Sequence, residues 1–222
     1  MLSIRKMIRD NGLKPGDVIP AETALSTEFG VSRTVAREAL RGLAALRIIE
    51  VGNGRRARVA GPTAEALSTI IDHIVHTEQV SVMQIADARR TIEMRAVSLA
   101  ALHRSEADAQ QLLKTIEGMY AAVEADESER VMELDILFHE IIARASGNPL
   151  YSIFIDSFRI ITRQTWAIGW RARGNLDAWR DNIKCHERVA QAVVAQDQNE
   201  AERAMSEHFD SSVMVLLRAG IK

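Results

Sequence analysis

The pattern of hydrophobic and polar residues over the first 60 positions predicts three short helices. The first ends at Asn11-Gly12, and the second runs from about Ala21 to Phe29, where Gly30 stops it. The third begins after Ser32, whose hydroxyl can cap it, and carries an apolar stripe at helical spacing. Two helices joined by a tight turn that contains glycine are typical of a helix-turn-helix.

A hairpin is predicted directly after the third helix. Two short β-favouring runs, residues 48–51 and 55–59, lie on either side of Asn53-Gly54. An Asn-Gly pair between two such runs is a strong hairpin signal. We therefore predict a winged helix-turn-helix domain with a small β-wing over residues 1–60, followed by a linker over residues 61–66.

The remaining residues, 67–222, carry helical periodicity without a convincing strand. Breaks fall at Gly147-Asn148-Pro149 and at Gly174-Asn175. The fold class we predict is mainly α, with an antiparallel bundle of six or seven helices as the effector-binding and dimerisation domain. The predicted helices cover residues 64–77, 81–103, 106–125, 127–146, 150–171, 177–196 and 199–218.

The two predicted domains differ in charge. Residues 1–60 hold 11 Lys and Arg against 6 Asp and Glu, whereas the rest of the chain holds 17 against 24. A basic module on an acidic body is expected where only the module meets a polyanion. The chain has no apolar run of membrane-spanning length, no recognisable secretory signal and one cysteine, Cys185. We therefore expect a cytoplasmic protein without a membrane partner.

The third helix carries the side chains expected of a DNA reader. Arg33, Arg37 and Arg41 are four residues apart and share one helix face. The guanidinium fork matches the O6 and N7 acceptors of guanine, and Ser32 and Thr34 can donate to phosphates at the helix start. An ordinary solvated helix face would also carry arginines. The turn, the wing and the local positive charge favour DNA binding.

Four side chains of the helical region are candidate metal ligands. Asp135 and His139 lie four apart and share a face with apolar residues, while His186 and His208 are each surrounded in projection by apolar residues. Buried polar groups without partners are costly, so convergence on one divalent metal would explain the set. Three imidazoles and one carboxylate suit Zn²⁺, Ni²⁺ or Mn²⁺. The alternative is that each histidine forms an ordinary core hydrogen bond.

The stretch from LKPGD at residues 13–17 through VSRTVAREAL at residues 31–40 closely resembles the GntR-family winged helix-turn-helix. The resemblance implies that Arg33 and Arg37 read bases, that Ser32 and Thr34 hold phosphate, and that Asn53-Gly54 enters the minor groove. One departure concerns Arg47, where the family usually has glycine. We expect the backbone there to avoid the conformation that glycine permits.

The helical region resembles the FCD ligand-binding domain of the FadR subfamily. The resemblance rests on DILFH at residues 135–139, ASGNP at 145–149, CHER at 185–188 and EH at 207–208. It implies a metal held by Asp135, His139, His186 and His208, with open positions that an organic acid fills. The family's arginine motif falls on ARRTIE, so that Arg89 would clamp the effector carboxylate. A surface ion pair between Arg89 and Glu93 is the alternative.

Together these features predict a transcription regulator, a repressor in our interpretation, and not an enzyme. We expect a homodimer on a palindromic operator, a bound divalent metal with Zn²⁺ preferred, and a hydroxy acid or sugar acid as the effector. One alternative is a metal-independent regulator of the same subfamily that senses acyl-CoA. A metal-dependent hydrolase is another, but no candidate general base stands beside the ligand set, and an enzyme would not need residues 1–60.

Overall fold

The computed structural model describes residues 1–52 and 56–221, which form two compact units, Met1–Ala66 and the residues from Leu67 onward. The first unit contains three helices and a two-stranded antiparallel sheet. Their bounds are α1 Leu2–Asp10, α2 Glu22–Phe29, α3 Arg33–Ala45, β1 Ile49–Glu50 and β2 Arg58–Val59.

Local sequence signals set the geometry of the helix-turn-helix. Gly30 ends α2 in the left-handed conformation, at φ 64°, which glycine adopts without a Cβ clash. Ser32 then caps α3, because its side-chain oxygen accepts a hydrogen bond from the backbone N–H of Val35. One small apolar core holds these elements together, formed by Ile4, Met7, Ile19, Leu25, Ala36, Leu40, Leu43 and Ile49.

The predicted wing is present as a short antiparallel ladder. Ile49 pairs with Val59 and Glu50 pairs with Arg58. Val18 adds an isolated bridge to Arg58, so the segment before α2 extends the small sheet. The predicted wing tip, Asn53-Gly54, lies outside the residues that the structure describes.

The expectation for Arg47 is wrong, because this residue adopts the left-handed conformation with φ 54°. The N–H of Ile48 donates to the carbonyl of Leu43, and the N–H of Arg47 donates to that of Ala44. This pair of bonds is the Schellman motif at the C-terminus of α3, and it requires a left-handed residue at position 47. The backbone hydrogen bonds therefore impose the conformation although no glycine is present.

Eight helices are described in the second unit, and the predicted fold class is confirmed. One predicted helix, over residues 150–171, is divided in two at Phe158. There the N–H of Phe158 donates to the carbonyl of Ile155, and the hydroxyl of Ser157 donates to the carbonyl of Phe154. These bonds interrupt the regular i to i−4 hydrogen bonds of an α-helix. The helices are α4 Glu65–His76, α5 Val82–His103, α6 Glu106–Glu124, α7 Ser128–Ala145, α8 Pro149–Ser157, α9 Arg159–Arg173, α10 Leu176–Val194 and α11 Gln198–Arg218.

Five long helices, α5, α6, α7, α10 and α11, meet around the main core of the second unit. Phe138 on α7, Ile183 on α10 and Phe209 on α11 are among its buried residues. The predicted ligand residues lie on these same helices, so the core packing brings them toward one another. Among the described residues, no helix combines the length and apolarity that a membrane span needs.

The strained position of Arg47 gives a test of the first unit. We expect Arg47→Val to lower the free energy of unfolding by about 2 kcal/mol, because a β-branched side chain is forced into the left-handed region. Arg47→Gly should change it by less than about 1 kcal/mol, since relief of strain offsets the added chain entropy and the lost ion pair with Glu65. Urea unfolding measures both variants.

The matched control is Arg41→Gly, which places glycine at a right-handed position inside α3. It should lower the free energy of unfolding by about 1 kcal/mol. If glycine were equally costly at positions 41 and 47, the backbone argument would be wrong.

Candidate functional site

The exposed face of α3 presents the arginines that the sequence singles out. Arg33, Arg37 and Arg41 are all exposed, as are Ser32 and Thr34 at the helix start. Their apolar counterparts on the opposite face are buried in the core of the first unit. The helix thus offers a row of guanidinium groups to the solvent.

Two of these arginines form weak ion pairs within the unit. Arg37 Nε lies 3.0 Å from Glu22 Oε2, and Arg41 Nη1 lies 2.7 Å from Glu38 Oε1. Exposed pairs of this kind contribute about 0–1 kcal/mol, so a nucleic acid could replace them at little cost. A groove between α3 and the wing is lined by Arg37, Arg41 and also Arg56, a cation that the sequence analysis did not single out.

In the second unit, three imidazoles are buried side by side. His139 on α7, His186 on α10 and His208 on α11 each offer one ring nitrogen, and these atoms all lie within 4.8 Å of one another. The ring centroids of His186 and His208 are 4.2 Å apart, and those of His139 and His208 are 5.3 Å apart. Such a group of imidazole nitrogens can hold a metal ion.

The fourth predicted ligand, Asp135, stands beside this group without being a member of it. Its Oδ1 lies 2.9 Å from Nε2 of His186. Burial would raise the pKa of the Asp135 carboxyl, but the hydrogen bond with His186 and the nearby positive groups lower the pKa below its usual value. Asp135 is therefore an anion at neutral pH.

Two of the histidines are oriented by polar groups outside the cluster. Nδ1 of His186 lies 2.9 Å from the backbone carbonyl of Asn182. Nδ1 of His139 contacts the carboxylate of Glu93. Because both partners accept hydrogen bonds from Nδ1, Nε2 is the ring nitrogen that remains for contacts within the site.

His208 has an unsatisfied nitrogen. Among the described residues, its buried Nδ1 has no hydrogen-bond partner. Burial lowers the pKa of His208 well below its usual value, and the neighbouring rings of His186 and His139 lower it further. The ring is therefore neutral, with an orphaned polar atom in the interior.

Glu93 on α5 is a site residue that the sequence analysis missed, having treated it only as a surface pair with Arg89. Its side chain is 0% exposed. One oxygen accepts from Arg89 Nε at 2.5 Å and the other contacts His139. Burial opposes ionisation, yet Arg89 and His139 together lower the pKa of Glu93. The apolar residues at helical spacing after it, Ala96, Val97 and Ala100, were the available signal.

A cavity of about 120 Å³ lies against the cluster. Arg89 lines it and donates from Nη1 to Thr162 Oγ1 at 3.1 Å, so the predicted clamp residue does face this space. Arg173, at the end of α9, also lines the cavity and was not singled out from the sequence. Burial lowers the pKa of Arg173, an effect that the charge of Asp135 opposes.

An arginine-bearing winged helix-turn-helix, followed by a helical domain in which buried imidazoles lie beside a cavity, defines a class: DNA-binding transcription regulators with an effector domain. Residues 2–59 match the family described as "Bacterial regulatory proteins, gntR family", and residues 84–211 match the FCD domain. The chain belongs to the GntR family of regulators with an FCD domain, as its resemblance predicted. Regulators of this type bind DNA and small-molecule effectors.

Individual relatives agree over nearly the whole chain. HTH-type transcriptional regulator LutR of Bacillus subtilis is 30% identical, and the match covers 95% of this chain and 96% of LutR. HTH-type transcriptional repressor NanR of Escherichia coli K12 is 26% identical, over 94% of this chain and 79% of NanR. The solved structure of Streptococcus agalactiae GntR has a TM-score of 0.63 at 22% identity, covering 96% of both chains. This last likeness supports the fold.

Removal of the buried charge on Glu93 tests its contacts. We expect Glu93→Gln to lower the free energy of unfolding by about 3 kcal/mol, because Arg89 would lose its buried anionic partner. Urea unfolding at neutral pH measures the change. Glu133→Gln is the matched control, since the Glu133 pair with Arg163 is partly exposed and should contribute less than about 1 kcal/mol. Equal effects of the two substitutions would contradict the assignment.

Proposed function

We propose that this chain is a transcriptional repressor that binds operator DNA as a homodimer through α3. Its affinity for DNA is controlled by a small carboxylate that binds at a divalent metal ion in the helical unit. The observation that carries the proposal is the buried group of three imidazoles beside a polar cavity.

The contacts of His186 are compatible with a bound cation. Its Nδ1 lies toward the carbonyl of Asn182, and its Nε2 forms a hydrogen bond with the Asp135 carboxylate at 2.9 Å. A metal ion held by these two side chains would replace the proton between them, since metal binding releases the protons of its ligands.

His208 supports the same interpretation, since its orphaned buried nitrogen would gain a partner. We assign Asp135, His139, His186 and His208 as the ligands, with Glu93 holding His139 in the required tautomer. This donor set suits Zn²⁺, with Ni²⁺ and Mn²⁺ as alternatives. When bound, the ion would supply a Lewis-acidic position for an oxygen of the effector.

The cavity supports a small acid as the effector. Its volume is about 120 Å³, which suits a small molecule. Arg89 lines this space, and a guanidinium binds a carboxylate through charge-assisted hydrogen bonds. A hydroxy acid or a sugar acid would combine such a carboxylate with hydroxyl groups. A cavity of about 120 Å³ is also too small for a long acyl chain.

On the DNA side, we assign base contacts to Arg33, Arg37 and Arg41, and phosphate contacts to Ser32 and Thr34. In a homodimer, two copies of α3 would meet half-sites of a palindrome about 34 Å apart. An effector then acts by favouring the arrangement of the dimer that fits these half-sites less well. Repression, rather than activation, is favoured by the name of the relative NanR.

Operator DNA can be selected from a random duplex library with the wild-type protein. We expect Arg33→Ala plus Arg37→Ala to weaken binding to the selected DNA by at least about 30-fold, because each bidentate base contact contributes about 1–3 kcal/mol. A gel-shift titration at fixed salt measures this effect.

The matched control removes two exposed arginines of the helical unit, Arg130→Ala plus Arg171→Ala. This variant loses the same charge and should bind the selected DNA like the wild type. Unchanged binding by the Arg33 and Arg37 variant would refute the assignment of α3 as the reading helix.

The metal is tested by elemental analysis of protein purified without chelators. We expect about one divalent ion per chain in the wild type and its loss in His208→Ala, whereas His73→Ala, which removes an exposed histidine, should retain it. Organic acids should raise the melting temperature of the metal-loaded protein only, and should change its affinity for the selected DNA. Metal-free wild-type protein, or equal responses with and without metal, would count against the proposal.

A further inference from the structure

Arg173 is a partly buried cation without an ion pair among the described residues. It is the last residue of α9, and its guanidinium carbon lies 4.5 Å from the centroid of the Trp179 ring on α10. Its side chain lines the cavity. Among residues 1–52 and 56–221, no carboxylate lies within ion-pairing distance of it.

The other cavity-lining arginine differs in this respect. Arg89 has the buried carboxylate of Glu93 at 2.5 Å, so that this pair is electrically neutral. The carboxylate that interacts with the charge of Arg173 is Asp135, which also lines the cavity. A metal ion at the histidines would take the charge of Asp135. Arg173 would then be a partly buried cation without an anion, a state that a negatively charged ligand would relieve.

We propose that Arg173 binds a second anionic group of the effector, so that the cavity selects short-chain dicarboxylates over monocarboxylates. This inference rests on the proposed metal-bound carboxylate. The first carboxylate would lie at the ion, and the second would accept hydrogen bonds from the guanidinium of Arg173. The cation–π contact with Trp179 holds the guanidinium beside the cavity, and no hydrogen bond from its N–H groups is found within the described residues.

Gly169 provides a second way to perturb the same place. It lies one turn before Arg173 on α9, is buried and lines the cavity. A Cβ at this position would lie 3.6 Å from Arg173 Nη1, which is ordinary van der Waals contact. Gly169→Ala therefore adds a methyl group beside the guanidinium without displacing it. Alanine also favours the helix, so the fold should be maintained.

The test compares two four-carbon hydroxy acids, malate and 2-hydroxybutyrate, which share the α-hydroxy acid group and differ in the second carboxylate. Isothermal titration of the metal-loaded, full-length protein should show that malate binds about 10- to 100-fold more tightly, the effect of a charge-assisted bidentate contact. This comparison needs no substitution, so it does not depend on the folding of a variant.

Arg173→Gln should remove the preference by weakening malate to the level of 2-hydroxybutyrate, whose affinity stays unchanged. Gly169→Ala should weaken malate more than 2-hydroxybutyrate. Arg171→Gln is the matched control, because Arg171 lies on the same helix, is exposed and does not line the cavity. It should retain the wild-type preference.

The outcomes separate this inference from the proposed function. If the metal-loaded wild type binds both acids equally, or if Arg173→Gln weakens both by the same factor, the role of Arg173 is refuted while the carboxylate site stands. If neither acid binds to the metal-loaded protein, the carboxylate site itself fails and this inference fails with it.

Discussion

The removal of charged and polar groups from water is the constraint on which the helical unit depends. Glu93, His139, His186 and His208 are buried together, and Asp135 lies beside them. A buried carboxylate or imidazole is tolerated only when its hydrogen bonds and charge are balanced. The chain from Arg89 through Glu93 to His139 achieves this balance for one anion and orients one ring. In contrast, Nδ1 of His208 has no hydrogen-bond partner among the described residues.

Much of the fold follows from local sequence signals, such as helix caps, helix-ending glycines and the spacing of apolar residues. Gly30 ends α2 and Ser32 caps α3, and both signals act within one or two turns of the chain. The four-residue spacing of Asp135 and His139 fixes their common face before any tertiary contact is known. These features could be predicted because each depends on a few neighbouring residues.

Other features depend on distant contacts and could not be predicted in the same way. The break at Phe158 follows from its hydrogen bonds and from its burial with Ile71, Ile85 and Ile161, which no local pattern announces. The conformation of Arg47 was misjudged because the hydrogen bonds of the helix end override the preference of the side chain.

The same limit applies to the candidate site. In the sequence, Glu93 looks like one member of a surface ion pair with Arg89, because its burial depends on the packing of other helices. Arg173, at the end of α9, is not part of any hydrophobic periodicity that would have drawn attention to it. In both cases the role of the residue depends on the tertiary packing of other helices, which the local sequence does not contain.

The helix α9 forms the part of the cavity wall that is least firmly packed into the core. Only Ile161 and Gly169 of this helix are buried, whereas α7 and α10 each bury eight or more residues. Yet α9 supplies Thr162, Trp166 and Arg173 to the cavity wall. An element with few buried contacts has the smallest free energy of displacement. A ligand that joins α9 to the histidine-bearing helices would therefore act on the wall that the core holds least firmly, which is where a small binding free energy has the largest effect on structure.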